Sequence, residues 1–280
     1  MKSSFNINNY SNLAQRAITA LVGGLVVVLG SIYSDWAYFL IFAGILGFSQ
    51  MEFYKLSGLD GMLPLKSFGT FLGLMIFVLT FMIEKERLSH EYLYLIFPLV
   101  SLTFFIKLYK KTDKKPFTGV AFTYLGIFYV AVPFSLLNLA VFSVDAVYHY
   151  EILIGCLLIL WASDTGAYFA GTKFGKTKLF ERVSPKKSWE GFLGGAFSAI
   201  AVSFVISQYF TVIEDWKWLV ISGIIIIAGT YGDLIESLFK RSIEIKDSGN
   251  GLPGHGGFMD RFDGLLLSAP FITAFLKIFQ

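Results

Sequence analysis

Residues 217–238 read KWLVISGIIIIAGTYGDLIESL, and the fold prediction starts from this mostly apolar run. As a helix it is long enough to cross the hydrocarbon core of a bilayer, and it is mostly apolar until its last turns. Asp233 is followed by Glu236, Ser237 and Lys240 at i+3, i+4 and i+7, so the four residues share one helical face. A polar face on a spanning helix is typical of a protein-lined or wet cavity. The stretch therefore predicts a membrane helix that ends in a polar site.

The composition extends this interpretation to the whole chain. Of the 280 residues, 55% are hydrophobic and 15% are charged, whereas soluble domains carry about a quarter charged residues. We predict an all-α fold, a polytopic membrane helix bundle in one domain that covers 1–280. Within it, 1–142 is mainly scaffold and 150–280 carries the functional residues. The nine predicted transmembrane helices are residues 17–33, 36–54, 67–83, 91–107, 118–142, 150–170, 189–210, 217–238 and 264–279.

The distribution of basic residues predicts the orientation. With the N-terminus cytoplasmic, all of the 23 Lys and Arg residues fall on the cytoplasmic side except Lys85, Arg87, Lys217 and Lys277. The C-terminus then lies outside. We expect a multi-pass protein of the cell inner (plasma) membrane with its site facing the cytoplasm. A net charge of +3 gives no reason to expect nucleic acid as a partner.

The N-terminal half offers little chemistry. The Lys107–Lys115 cluster is interpreted as a topology determinant in a solvated loop, with recognition of anionic headgroups as the alternative. Gly23-Gly24 and Gly44/Gly47 are predicted contact points between helices.

Ser237–Asp263, SLFKRSIEIKDSGNGLPGHGGFMDRFD, combines charged residues with clustered glycines between two apolar runs. Cations neutralise phosphate oxygens, carboxylates hold a hard divalent ion, and glycines let backbone N–H groups approach a polyanion. This mixture indicates phosphate chemistry. The alternative is a solvated loop between two membrane helices, which explains neither the glycines nor the spacing of the carboxylates.

Three carboxylates are predicted to converge on a metal ion. Asp260 and Asp263 repeat the i, i+3 spacing before the last predicted helix, where they can meet Asp233. An oxygen-rich site suits Mg²⁺, whereas zinc favours Cys and His, of which the chain has one and three. The alternative for Asp260 and Asp263 is local salt bridging and helix capping.

The basic loop Lys173–Gly195, KFGKTKLFERVSPKKSWEGFLGG, adds anion-binding candidates. Ser188-Trp189-Glu190 is predicted to cap the next helix, and a helix N-terminus favours anions. Lys186 and Lys187 are candidates to hold a phosphate, or they flank a span as positive-inside residues. Asp164 lies inside a predicted span, where a carboxylate is costly and usually functional, with a helix–helix hydrogen bond near the cytoplasmic end as the alternative.

The motif S-x-x-K-R-x4-K-D-x-G-x2-L-P-x-H-G-G-F-x-D-R-F-D over residues 237–263 resembles that of the integral-membrane phosphatidate cytidylyltransferases, the CDP-diacylglycerol synthases. The resemblance extends upstream to Asp164–Tyr168 and to Ser184–Gly191, and so covers the C-terminal half specifically. Ser188 stands where the family more often has Thr, and Gly264 stands where Ser is common.

The resemblance implies an enzyme, a nucleotidyltransferase of phospholipid biosynthesis. It would transfer a cytidylyl group from CTP to phosphatidic acid in the bilayer, with Mg²⁺ as cofactor. A second cation and a homodimer are open options. We assign catalytic, metal-binding and substrate-binding roles by position. The catalytic candidates are Asp233, Asp260, Asp263, Lys240 and His255, the metal ligands Asp233, Asp260, Asp263 and Asp247, and the substrate-binding residues Lys240, Arg241, Lys246, Arg261, Ser184, Lys186, Lys187 and Asp164.

Three other functions are alternatives to this one. A CDP-alcohol phosphotransferase also uses carboxylates at the membrane edge, but its pattern D-G-x2-A-R-x8-G-x3-D-x3-D is absent from the sequence. A transporter of an anionic solute would place charges near the midplane and show paired repeats. A membrane scaffold would not need the combination of carboxylates, lysines and glycines.

Overall fold

A computed structural model describes residues 12–61, 63–111, 113–245 and 257–279, and the side chains of 12–18 and 60 are left out of the description. Most of these residues are helical. The helices are α1 Asn12–Tyr33, α2 Asp35–Ser57, α3 Lys66–Glu84, α4 Ile96–Tyr109, α5 Pro116–Gly126, α6 Val132–Val141, α7 Tyr150–Phe174, α8 Trp189–Tyr209, α9 Asp215–Ile224, α10 Thr230–Ser242 and α11 Met259–Ile278.

The predicted all-α membrane bundle is confirmed in its class. In the described part of the chain, a helical segment occupies each of the nine predicted positions. Seven of the described segments are long and apolar enough to cross a membrane. These seven are Asp35–Ser57, Lys66–Glu84, His90–Tyr109, Pro116–Val141, Tyr150–Phe174, Trp189–Tyr209 and Asp215–Ser242. The count of nine spans and the orientation of the termini stay predictions.

Two of the long segments contain a π-helical turn. Ile127–Ala131 joins α5 to α6, and Ile225–Gly229 joins α9 to α10. Such a turn inserts a residue into the α-helical repeat and therefore rotates the faces that follow it. The second turn ends at Gly229, immediately before the helix that carries Asp233 and Glu236. It thus takes part in setting the direction in which the polar face of α10 points.

A small β-hairpin interrupts the helical architecture between α7 and α8. Strand β1 (Lys178–Phe180) pairs antiparallel with β2 (Ser184–Ser188), with a register irregularity between Lys178 and Phe180. The sequence carries no clear signal for these strands, because they are short and lie in a loop rich in charge. Ser188 caps α8 as predicted, since its hydroxyl oxygen accepts a hydrogen bond from the Gly191 N–H at 3.1 Å.

Two of the four predicted contact glycines lie at helix contacts, since a Cβ at Gly24 or Gly47 would be 3.9 Å from Trp161 or Leu74. Extra Cβ atoms at Gly23 and Gly44 would have no neighbour within 4 Å. Tight approaches occur in both halves, for example at Gly73 against Gln50, and in the C-terminal half they bring backbones together where α7 packs along α8 and α10 crosses α11. At Gly194, for example, a Cβ would overlap that of Ala170. Small residues therefore bring backbones together in the half that carries the polar groups.

Lys107 is not the solvated residue that the loop interpretation implied. It is buried at the end of α4, where its ammonium group pairs with Asp113 and donates to the carbonyl oxygen of Leu63. The hydrogen bond from Lys107 lowers the pKa of the Asp113 carboxyl. Gly119 leaves room for this ammonium group, because a Cβ there would collide with Lys107 Nζ. The pair thus joins the connections that precede α3 and α5.

Removing this buried cation is expected to destabilise the protein. Lys107→Met leaves the Asp113 carboxylate buried without its partner, which costs about 3–5 kcal/mol. Lys111→Met, at an exposed lysine of the same cluster, is the matched control. Thermal unfolding in detergent should show a large fall in Tm for the first variant and almost none for the second. Equal Tm values would contradict a structural role for the pair.

Candidate active site

Residues between Ser163 of α7 and Gly264 of α11 surround a cavity of about 820 Å³. Its wall comes from α7, β1, β2, α8, the second π-turn, α10 and α11. The charged residues on the wall are Asp164, Lys178, Lys186, Lys187, Asp233, Glu236, Lys240, Asp260, Arg261 and Asp263. The structure therefore gathers residues that are up to a hundred positions apart in the sequence into one polar chamber.

Helix α10 supplies one wall through the polar face that its sequence predicts. Asp233, Glu236 and Lys240 all line the cavity. Lys240 Nζ donates to Glu236 Oε2 at 3.0 Å, and the Ser237 hydroxyl donates to Asp233 Oδ1 at 3.4 Å. Apolar residues lie off this face, among them the buried Leu234. The period of 3.6 residues is what aligns the polar groups.

Helix α11 supplies the facing wall and crosses α10 at close range. A Cβ on Gly232 would overlap the backbone carbonyl oxygen of Asp263, and one on Gly264 would lie 3.5 Å from Gly229 Cα. The backbones therefore meet directly, with no side chain between them. This crossing puts Asp263 beside the polar face of α10. The Gly264 N–H then donates to Asp263 Oδ1 at 2.7 Å and fixes that side chain.

Three carboxylates converge at the crossing. Asp233, Glu236 and Asp263 each offer one oxygen, and the three oxygens lie within 4.8 Å of one another. Glu236 is 1% exposed, and its Oε1 has no hydrogen-bond partner among the described residues. Carboxylates this close repel one another unless a proton or a cation neutralises part of their charge, and oxygen ligands suit a hard divalent ion. The group thus fits Mg²⁺ by donor type and by its unpartnered buried oxygen.

The membership of this group differs from the predicted one at Asp260. Asp260 Oδ1 accepts from Lys240 Nζ at 3.1 Å, and its Oδ2 accepts from the Gly257 N–H at 3.3 Å. Glu236 takes the predicted place of Asp260 in the convergent set. The i, i+3 spacing from Asp233 already contained this signal, because it puts Glu236 one turn further along the same face. The prediction that Asp260 binds the metal together with Asp263 did not include the Lys240 ammonium group and the Gly257 N–H, which contact its two oxygens.

The hairpin brings cations to the same chamber. Lys187 of β2 forms an ion pair with Asp233, and Lys186 lines the cavity beside it. The Glu190 carboxylate at the start of α8 anchors the entry to β1, since it accepts from the backbone N–H groups of Lys176 and Thr177 at 3.1 Å each. The position of Lys187 thus depends on the strand pairing and on this anchor.

The remaining predicted site residues have varied placements. Asp164 and Arg261 line the cavity. Ser184 begins β2 and is not among the residues of the wall. Arg241 is exposed and its guanidinium donates to the carbonyl oxygen of Ile245 at 3.3 Å, away from the wall. Lys246, Asp247 and His255 lie outside the described residues.

The fold and the chamber define a multi-pass membrane protein with a site suited to a divalent cation and to phosphates. A family model described as "Cytidylyltransferase family" matches residues 14–279, so the chain belongs to the cytidylyltransferase family. This finding confirms the family suggested by the motif. It also confirms that the protein is an enzyme, a nucleotidyltransferase.

Several bacterial relatives carry the name phosphatidate cytidylyltransferase. A phosphatidate cytidylyltransferase of Staphylococcus saprophyticus is 32% identical over 265 residues, which covers 93% of this chain and 96% of the relative. One from Bacillus subtilis is 31% identical over 286 residues, covering 96% and 99%. One from Haemophilus influenzae is 31% identical over 224 residues, covering 74% and 78%. The similarity to the first two spans nearly the full length of the chain.

The helix crossing generates a prediction about Gly232. Gly232→Ala forces a methyl group against the Asp263 carbonyl oxygen, and a displacement of about 1 Å at a reacting centre costs about a hundredfold in rate. Gly223→Ala is the matched control on α9, where a Cβ would have no neighbour within 4 Å. Cytidylyl transfer and Tm should be measured for both variants. Unchanged activity in Gly232→Ala would show that the close crossing is not required.

Proposed function

We propose that the protein transfers the cytidylyl group of CTP to phosphatidic acid, giving CDP-diacylglycerol and pyrophosphate. The observation that carries the proposal is the single chamber in which three convergent carboxylates lie beside Lys187 and Lys240. Family membership supplies the reaction class, and the names of the relatives supply the lipid substrate. The transporter and scaffold alternatives do not explain either finding.

Asp233, Glu236 and Asp263 would hold the metal ion. Bound there, Mg²⁺ would supply charge neutralisation for the phosphates of CTP and the lipid. Asp260 has a different proposed role: it positions Lys240, whose ammonium group bridges it to Glu236. Asp164 lines the same chamber, and its role in substrate binding stays a prediction.

The reaction joins two polyanions, so charge control is the main task of the protein. A phosphate oxygen of phosphatidic acid attacks the α-phosphorus of CTP, a new P–O bond forms, and the bond to the β-phosphate breaks to release pyrophosphate. The attacking oxygen is already ionised near neutral pH, so no strong general base is required. Lys186, Lys187, Lys240 and Arg261 would bind phosphate oxygens and stabilise the departing pyrophosphate. When phosphates enter, they would compete with Asp233 for Lys187.

The site would lie at the cytoplasmic edge of the inner membrane. The lysines of the hairpin and of α10 belong to segments that the positive-inside rule assigns to the cytoplasm. A site at this level lets CTP enter from water while the diacylglycerol part of the lipid remains in the bilayer. The helices of 1–142 would act mainly as scaffold and those of 150–280 would carry the catalytic groups.

Several assignments stay predictions made from the motif. They comprise roles in phosphate binding for Lys246, Arg241 and Ser184, in metal support for Asp247, and in catalysis for His255. A second cation and a homodimer also belong to this group.

Release of pyrophosphate by the purified, detergent-solubilised protein tests the reaction. We expect turnover only when CTP, phosphatidic acid and Mg²⁺ are all present. Two controls change one reactant each: ATP replaces CTP in the first, and diacylglycerol replaces phosphatidic acid in the second. Neither mixture can give CDP-diacylglycerol. Folded protein that releases no pyrophosphate from CTP and phosphatidic acid would refute the proposed reaction.

The same assay tests the metal group. Glu236→Gln removes one of three converging charges and should lower kcat at least about a hundredfold. Glu91→Gln changes an exposed carboxylate before α4 and should leave kcat unchanged. If Glu236→Gln kept the kcat and the Mg²⁺ dependence of the original protein, Glu236 would have no place in the metal group.

A further inference from the structure

Helix α2, in the N-terminal half, reaches the site through a single carboxylate. Glu52 Oε2 accepts a hydrogen bond from the backbone N–H of Phe258 at 2.7 Å. Phe258 is the N-cap residue of α11, and its own side chain makes no capping hydrogen bond. The first N–H groups of a helix have no partner within the helix, and its N-terminus carries partial positive charge. A carboxylate from a distant helix therefore completes the start of α11.

Aromatic contacts hold α2 against both helices of the crossing. Phe48 stacks on Phe258, with ring centroids 5.0 Å apart and planes at 18°. Phe53 stacks on Phe239 of α10 at 5.1 Å and 20°. Glu52 lies between these two aromatic residues in the sequence, so the hydrogen bond is made where α2 touches α11 and α10 together. A shift of Phe258 would move α11 relative to α10.

Two residues that follow Phe258 in α11 contact or belong to the group of convergent carboxylates. Asp260 lies in the first turn of α11 and forms an ion pair with Lys240. The same ammonium group also forms an ion pair with Glu236. Asp263 lies one turn further on and belongs to the convergent carboxylates. The start of α11 therefore determines where both acidic side chains lie relative to α10.

The use of a charged group here argues against a role in stability alone. Glu52 Oε1 is buried and has no hydrogen-bond partner among the described residues. A buried carboxylate loses several kcal/mol of hydration, and a neutral acceptor would serve the Phe258 N–H with a smaller penalty. The charge interacts favourably with the helix dipole of α11, which points its positive end at Glu52.

We propose that Glu52 is a positioning residue for the site: by capping α11 it holds Asp260 and Asp263 in register with Asp233 and Glu236. The inference rests on the proposed metal group and assigns part of the site to the half that the sequence marked as scaffold. Glu52 itself is not among the residues of the cavity wall. Its effect would pass through the backbone of α11.

The structure offers a matched control at the other end of the same helix. Glu84 of α3 forms an ion pair with Lys277 at 3.1 Å and so ties the last turn of α11 to the N-terminal half. Glu84→Gln removes an equivalent tether far from Asp260 and Asp263. Both kinds of variant weaken the attachment of α11, but only a change at Glu52 should disturb the metal group.

The test compares Glu52→Ala, Glu52→Gln and Glu84→Gln in the full-length protein in detergent. Mn²⁺ affinity is measured by electron paramagnetic resonance, kcat and KM by pyrophosphate release, and folding by Tm. Loss of a residue that orients metal ligands typically costs about 10- to 100-fold in affinity or rate. We expect that loss in Mn²⁺ affinity and kcat for Glu52→Ala, a smaller loss for Glu52→Gln, and values within about twofold of the original protein for Glu84→Gln.

Two results would overturn the inference. One is that Glu52→Ala and Glu84→Gln lower Tm alike and leave Mn²⁺ affinity and kcat unchanged. The other applies if Glu52→Ala fails to fold: Glu52→Gln, which keeps the shape and an acceptor oxygen, then decides, and unchanged Mn²⁺ affinity in it refutes the role. If the original protein binds Mn²⁺ but releases no pyrophosphate, the proposed reaction fails while the comparison of affinities still decides the role of Glu52.

Discussion

Backbone contact between α10 and α11 at Gly232 sets the distance between the acidic groups of the site. The Asp263 carbonyl oxygen occupies the space that a side chain at residue 232 would need. Asp233, Glu236 and Asp263 can converge only because the two helices approach this closely. Repulsion among the three carboxylates opposes the approach, and the packing of the surrounding helices together with the ammonium groups of Lys187 and Lys240 offsets it. A bound divalent cation would attract all three carboxylates and so outweigh their mutual repulsion.

The polar chamber is costly inside a membrane protein, and the structure offsets the cost with cations. Lys187 pairs with Asp233, while Lys240 bridges Glu236 and Asp260. These are also the groups that the proposed reaction requires for binding phosphates. The same lysines would thus stabilise the resting protein through carboxylates and the reacting state through phosphate oxygens. The loss of these ion pairs when substrates bind would reduce the net affinity and leave the cations in place for the transition state.

The sequence contains most of the fold and much of the site for physical reasons that can be traced. Long apolar runs have few structures open to them in a bilayer, so helices at the nine positions follow from composition and length. The face of α10 follows from the helical repeat. What the sequence does not show is distance across the bundle: Asp260 and Glu236 both have suitable spacing, and only the packing of α11 decides between them. The same limit applies to Glu52, since a hydrogen bond to Phe258 across 206 positions leaves no local pattern. Lys107 illustrates the opposite error, because a lysine in a basic run resembles a solvated one until its buried partner is known.

Anomalous X-ray diffraction from crystals of the protein grown with Mn²⁺ in place of Mg²⁺ tests the proposed metal group most directly. The proposal predicts an anomalous peak between the carboxylates of Asp233, Glu236 and Asp263, with Asp260 paired to Lys240 outside the first coordination sphere. A peak bound by Asp260 in place of Glu236, or no peak at the α10–α11 crossing in crystals that contain Mn²⁺ and CTP, would contradict it.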